Sequence, residues 1–403
     1  MTMEEGHVNV SADHKVLSGI RFQQKLYRAA IENGYSFALW RLPNDSHSQA
    51  ILSFNPEPFS LEKSFEELSP GFLFHPFDTR KNGIYLKADL MFRFIGNELK
   101  QEDSPLASRS HLWFTENVAD KSFTHTTPKT RKASFPPEKQ KQDFEELVEV
   151  CLKQIELGSF EKIVPSRFKS VPLPDDFDAI EAFQKLSVSY LSALISFVYT
   201  PEYGAWLGAT PEVLVSIQEK TTFRTVALAG TQEYVQGVNL RDVAWTQKEI
   251  EEQALVSRYI INCFKKIRLR EFSEHGPKTT VAGNLMHLKT DFAVDMKATN
   301  FPLLGSVMLR LLHPTSAVCG MPMESSSAFL LDNEGYDRSF YSGFLGPVNF
   351  EDNSFLFVNL RCMELFSTHA VCYAGAGVTI DSVPEKEWQE TEVKMNTLLK
   401  VVF

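Results

Sequence analysis

Apolar residues between positions 7 and 118 fall in short runs, such as Phe37-Ala38-Leu39-Trp40-Arg41-Leu42 and Gly83-Ile84-Tyr85-Leu86, broken by clusters of Asn, Asp, Pro and Gly. This rhythm predicts short strands joined by turns. Residues 120–141, rich in Ser, Thr, Lys and Pro, predict an exposed connection. After Pro137 the period changes. Phe144, Leu147, Val148, Cys151 and Ile155 recur at helical spacing with charged residues between them, and Gly158 is placed to stop the helix. A second long helix is expected from about Asp242 to Ile267, its buried face marked by Ile250, Leu255, Val256, Tyr259, Ile260, Cys263 and Phe264. Strand-like runs fill the rest at 162–164, 193–199, 213–215, 355–360 and 370–373. Regular βαβ alternation, a GxGxxG or Walker loop and an internal repeat are all missing from the sequence. The pattern predicts an α+β fold with large, mainly antiparallel sheets.

With 403 residues, 43% hydrophobic and 12% aromatic, the chain has material for a sizeable core. A formal net charge of −10 argues against a nucleic-acid or anionic-membrane surface, which needs a concentrated basic face. The basic residues of 129–141 are interrupted by prolines and a glutamate. Cys151, Cys263, Cys319, Cys362 and Cys372 are odd in number and lack a CxxC spacing, so they read as reduced, buried thiols. The first residues carry neither a basic nor an apolar leader region, and no run of about 18 apolar residues occurs, which predicts a cytoplasmic protein.

Several segments set a charged side chain beside a turn and an apolar strand. Lys162 opens the run Ile163-Val164, where desolvation would favour a general base; a snorkelling edge lysine has the same pattern. Glu212 follows Gly208-Ala209-Thr210-Pro211 and opens another strand, where apolar neighbours would raise its pKa; a turn glutamate facing water is the alternative. Ala227-Leu228-Ala229-Gly230-Thr231 is a small-residue turn that a ligand can approach closely. Glu249 and Glu252 share a helix face, and Glu387, Glu390 and Lys394 repeat an i, i+3, i+7 geometry near the C-terminus. Each run alone reads as a solvated face; facing one another, they would form an oxygen-rich site suited to Mg²⁺. Arg361 and the segment Gly375-Ala376-Gly377, whose backbone N–H groups can face an anion, complete a grammar for a metal-bound carboxylate.

Taken in order, residues 162–167, 208–212, 228–231, 313–322, 334–346 and 361–394 resemble the chorismate-utilising enzymes, the group that includes anthranilate synthase component I. The resemblance covers about residues 140–401. Residues 1–135 would be the variable N-terminal part and 136–403 the chorismate-binding catalytic region of one two-lobed α+β domain, its antiparallel sheets stacked and its helices outside. Lys162 stands where the water-adding branch carries lysine, Ala229 argues against the aminodeoxychorismate branch, and 312–320 is similar to isochorismate synthases. The resemblance therefore implies Mg²⁺-dependent conversion of chorismate to isochorismate for menaquinone or siderophore biosynthesis; salicylate synthase and a non-catalytic chorismate-binding relative are the alternatives. It implies Lys162 as the base for water and Glu212 as the acid for the departing hydroxyl. Glu252 and Glu390 would ligate Mg²⁺, with Glu249 and Glu387 holding metal waters. Thr231, Lys394 and the backbone of Gly375, Ala376 and Gly377 would meet the ring carboxylate, Arg361 and Tyr341 the enolpyruvyl carboxylate, and His287 would lie close to the substrate. Pro165 and Gln253 depart from the family pattern, and a monomer is expected.

Overall fold

Every strand pairing in the computed structural model is antiparallel, and the strands of residues 36–99 join the same two sheets as those of the C-terminal half. The structure describes residues 19–96, 98–100, 105–118, 138, 140–234, 237–282 and 285–403. Most of the connection expected over 120–141 lies outside these residues. One nine-stranded sheet runs, in order across it, Glu98–Leu99, Leu90–Ile95, His47–Ser53, Ser36–Arg41, Leu194–Thr200, Gly204–Thr210, Cys362–Leu365, His369–Gly375 and Ser166–Pro172. The other runs Ser273–Ala282, Leu285–Asp295, Thr222–Glu233, Val213–Gln218, Ser354–Val358, Phe344–Val348, Gly71–His75, Gly83–Lys87 and Glu57–Phe59.

The two-residue period of the strands distributes their side chains between separate cores. In Ser36–Arg41, Phe37 and Leu39 pack against the helices Gly19–Asn33 and Ala179–Ser189, whereas Ala38 and Trp40 meet Phe72, Phe74 and Leu86 of the second sheet. Both faces are therefore covered, and the strand is apolar throughout rather than alternating. Gln247–Lys266 and Leu304–Leu312 cover the outer face of the second sheet. The five cysteines are buried and free. Among the described residues no helix is long and apolar enough to cross a membrane.

Lys141–Glu156 forms with the expected apolar face buried, and Gly158 follows at φ +75°, a conformation in which glycine is favoured. Three sequence expectations need correction. Residues 7–118 are not strands and turns alone, because Gly19–Asn33 and Pro105–Asn117 are helices. The second long helix starts at Gln247, not near Asp242, since Thr246 and Glu249 close a capping box there. Ile250 is exposed and Tyr259 only half-buried, so neither belongs to the fully buried face.

A buried ion pair ties the loops around one end of this sandwich. Arg338 Nε and Nη2 donate to Glu334 at 2.7 and 2.5 Å, and the same guanidinium donates to the carbonyls of Val318 at 2.8 Å and Val164 at 2.6 Å. Glu334 Oε1 also accepts from the Ser166 N–H at 2.7 Å and its hydroxyl at 2.9 Å. Lys162–Ile163, just before this knot, pairs with Gly320–Met321. Glu334→Gln would leave the Arg338 charge buried and uncompensated. Urea unfolding should show a loss of about 3–5 kcal/mol, and a loss under about 1 kcal/mol would place the tie elsewhere.

Candidate active site

The ends of both sheets and two helices, Gln247–Lys266 and Pro384–Val402, enclose a cleft of about 750 Å³ including its open mouth. Its walls bring together Glu212, Thr231, Glu252, His287, Tyr341, Arg361, Gly375, Gly377, Glu390 and Lys394 from separate parts of the chain. Lys162 is 1% exposed and lies beside this wall, its Nζ donating to Glu252 Oε1 at 2.6 Å. The buried placement expected of Lys162 and Glu212 is what the fold produces, rather than an edge lysine and a turn glutamate in water.

Burial acts on two neighbouring acids in opposite ways. Glu212 is 6% exposed and its carboxyl forms no hydrogen bond among the described residues. Burial pushes its pKa up to about 7, against the pull of Lys162, Lys394 and Arg361. Burial would raise Glu252 as well, but the Lys162 ammonium in direct contact holds it below the ordinary carboxylate range. One acid keeps its proton near neutrality and the other does not.

Arg361 is buried at φ +46° and donates from Nη1 to Thr397 Oγ1 at 2.9 Å. Among the described residues it makes no ion pair, so a buried guanidinium faces the cleft without a counter-charge. His287 Nδ1 lies 2.7 Å from the Gly230 carbonyl, which fixes the proton on that nitrogen and leaves the buried Nε2 as an unpartnered acceptor. Burial, with Arg361 and Lys394 nearby, lowers its pKa to about 3, so the ring is neutral. Tyr341 stacks on Tyr373 at 5.3 Å, and Tyr373 on Trp206 at 5.6 Å, which gives one side of the cleft a rigid aromatic wall.

The glycine segment works differently from the anion-binding turn expected. Gly375 ends a strand and its carbonyl accepts from Lys394 Nζ at 2.8 Å, while the Ala376 N–H donates to the Pro165 carbonyl at 3.1 Å. Ala376 is fully buried away from the cleft wall. The Gly377 N–H donates to nothing among the described residues. The need for glycine there is steric, because a Cβ would stand 2.8 Å from Glu252 Oε1 and 3.0 Å from Lys162 Cε.

Two of the four expected metal-site residues are also off the cleft wall. Glu249 accepts the Thr246 N–H at 2.7 Å and the Gln232 amide at 3.1 Å, so it serves its helix terminus. Glu387 is 1% exposed and pairs with Lys248 at 2.6 Å, leaving Oε2 buried without a partner. Gln253, flagged as a departure, turns to the sheet and donates to the Ala227 carbonyl at 3.2 Å and to Thr290 at 3.0 Å. Sequence reasoning gave no role to Lys248, Tyr373, Glu334 or Arg338. Lys248 sits four residues before Glu252 on the same helix face, a visible signal; Tyr373 reaches the wall, and Glu334 and Arg338 stand behind it, only through tertiary packing.

The family of chorismate binding enzymes matches residues 80–403. The chain belongs to that family. Isochorismate synthase EntC of Escherichia coli (strain K12) is 26% identical over 64% of this chain and 66% of its own length, slightly under two thirds of that relative. Isochorismate synthase MenF of the same strain is 23% identical over 90% of this chain and 84% of its own. The solved structure of Escherichia coli MenF, the menaquinone-specific isochorismate synthase, superposes with a TM-score of 0.71 at 21% identity, covering 92% of this chain and 89% of that one. Anthranilate synthase component I from Streptococcus pneumoniae TIGR4 gives 0.66 at 16% identity, covering 98% and 95%. These structural likenesses establish the chorismate-utilising fold expected from the sequence.

The Mg²⁺ implied by the family resemblance requires hard oxygen ligands. Glu252 and Glu390 supply them on the cleft wall, and Glu387 adds an orphaned buried oxygen behind it, so the donor chemistry fits. Among the described residues no three acidic, histidine or cysteine side chains stand together as a ligand set. Lysines hold the carboxylates instead: Lys162 on Glu252, Lys394 on Glu390 and Lys248 on Glu387, each at 2.6 Å.

Gly377→Ala should part Lys162 from Glu252 and lower affinity for an anionic ligand in calorimetry while leaving the melting temperature nearly unchanged. Unaltered binding would show that the close approach does not matter. Glu212 gives a pH-dependent test. Its folded pKa of about 7 exceeds the ordinary 4.5, so the folded state holds an extra proton in that window and loses stability as pH rises through it. Glu212→Gln escapes that loss and should be more stable than the parent at pH 8 by about 1–3 kcal/mol, with little or no gain at pH 4.

Proposed function

We propose that the protein is an isochorismate synthase, converting chorismate to isochorismate. The observation that carries this reading is Glu212, a carboxyl pushed up to about 7 in the wall of a cleft that also presents Arg361 and Lys394 to an anion. In the proposed reaction, the oxygen of a water bonds to ring C2 as Lys162, an ammonium in the free cleft that has given up its proton in the loaded one, takes a proton from it. Both ring double bonds shift by one position, the bond from C4 to its hydroxyl breaks, and Glu212 gives its proton to the departing oxygen. One water enters and one leaves, so the change is an isomerisation. Arg361 and Tyr341 would hold the enolpyruvyl carboxylate, where a planar guanidinium binds in two-pronged fashion. Thr231, Lys394 and the free N–H of Gly377 would hold the ring carboxylate.

Glu252 and Glu390 would hold Mg²⁺, with Glu387 in support, and the ion would neutralise carboxylate charge next to the ring. His287, neutral with a bare Nε2, is suited to accept a hydrogen bond from a substrate hydroxyl and is a poor proton donor near neutral pH. A cytoplasmic monomer feeding menaquinone or siderophore synthesis accompanies this reading.

Purified protein with chorismate and Mg²⁺ should yield isochorismate without pyruvate by chromatography. Pyruvate with salicylate would instead mean salicylate synthase, and binding without turnover a non-catalytic relative. Lys162→Gln and Glu212→Gln should each lower kcat by about 10²–10⁴-fold while chorismate still binds. Because Glu212 must carry its proton, kcat/KM should fall as pH rises through about 7. A normal rate in Glu212→Gln would move the acid to another group.

A further inference from the structure

The cleft contains a matched set of charges. Glu252, Glu387 and Glu390 each touch one ammonium, Lys162, Lys248 and Lys394 respectively, at 2.6 Å. Among the described residues Arg361 stands outside these pairs. A divalent cation entering alone adds two positive charges to a set already in balance, and it must compete with ammoniums for every inner carboxylate oxygen. In a poorly screened site such an excess is costly. A dianionic acid brings the opposite excess. Entering together, the two leave the net charge of the cleft unchanged.

We propose that Lys162, Lys248 and Lys394 are resident counter-ions of the cleft, so that a divalent cation and a dianionic ring acid bind as a neutral pair, each tightening the other. This rests on the functional reading above for the identity of the two ligands. Lys248 is the most informative member, because it is about a third exposed, lies off the cleft wall and, among the described residues, pairs with the supporting carboxylate. Its ammonium withholds Glu387 from a cation that arrives alone. Coupling between two ligands is reciprocal, so the dianion gains as much from the cation as the cation from the dianion.

The test is equilibrium binding of Mn²⁺ to the full chain, with the free ion counted by electron paramagnetic resonance. It is run with and without 3-(carboxymethoxy)benzoate, a non-reacting dianion, with benzoate as the single-charge control. In the parent protein the dianion should tighten Mn²⁺ by about tenfold, and benzoate should do markedly less. Lys248→Met should tighten unaided Mn²⁺ binding by about tenfold and shrink the coupling, whereas Lys248→Arg, which keeps the charge, should behave as the parent. Unchanged or weaker unaided Mn²⁺ binding in Lys248→Met overturns the proposal on its own, whatever the affinity of the dianion probe. The isochorismate assay is read separately. Product formed by a protein whose Lys248→Met variant gains no Mn²⁺ affinity sinks the counter-ion set alone; Mn²⁺ binding that responds as expected, without product, sinks the functional reading alone.

Discussion

The buried pair of Glu334 and Arg338 is the constraint on which the site depends. Neither side chain is more than 2% exposed, and every hydrogen bond that Arg338 makes beyond Glu334 goes to a backbone carbonyl. Those carbonyls belong to Val164, two residues after Lys162, and to Val318, on the cleft wall. The guanidinium also lies over the rings of Phe77 and Tyr341, at 4.3 and 5.9 Å. A hydrophobic replacement of similar volume would avoid the desolvation of two ions but would not hold two segments by their carbonyls. Here the charge acts through direction: five donors in a fixed plane set where Lys162, Val318 and Tyr341 stand.

From that frame follows the division of labour between Glu212 and Glu252. Glu212 is buried and Glu252 partly buried, and burial alone would push both carboxyls up. The difference is a single contact: Lys162 touches Glu252 and only influences Glu212 from a distance. Gly377 makes that contact possible, since any side chain would occupy the space of the Lys162 and Glu252 termini. Gly320 acts on the backbone instead, since a Cβ there would lie 2.5 Å from the Lys162 carbonyl and disturb the pairing of Gly320–Met321 with Lys162–Ile163.

Much of this was legible in the sequence where local pattern and tertiary role coincide. Lys141–Glu156 could be read from its apolar spacing and Gly158 because both the period and the stop are local. The cleft residues were legible through segments that place a charge next to a strand end, and most of them converge. What local pattern misled was Glu249: i, i+3 spacing with Glu252 put it on the same face, but Thr246 three residues earlier already claimed it as a cap. The helix Gly19–Asn33 was missed although Phe22, Leu26, Ala29 and Ala30 carry a helical period, since the strand-like runs after it set the expectation for the whole region. Ala376 was misread for a different reason. A backbone N–H has no sequence signature, and only the pairing of His369–Gly375 with Ser166–Pro172 shows that this one goes to Pro165.

The two-sheet architecture explains why so polar a cleft is tolerated at all. Among the described residues four apolar clusters carry the hydrophobic stabilisation, and most of their side chains lie away from the cleft wall. The cleft itself draws on strand ends, where backbone groups have no ladder partner, and on Glu252, Glu390 and Lys394 from the second and third turns of two helices. A carboxyl kept protonated, an imidazole with a bare nitrogen and a guanidinium without a counter-charge each raise the energy of the empty site. A ligand that supplies the missing partners lowers it again, and the same unmet groups that weaken the free protein become the source of its selectivity for an anion of matching shape.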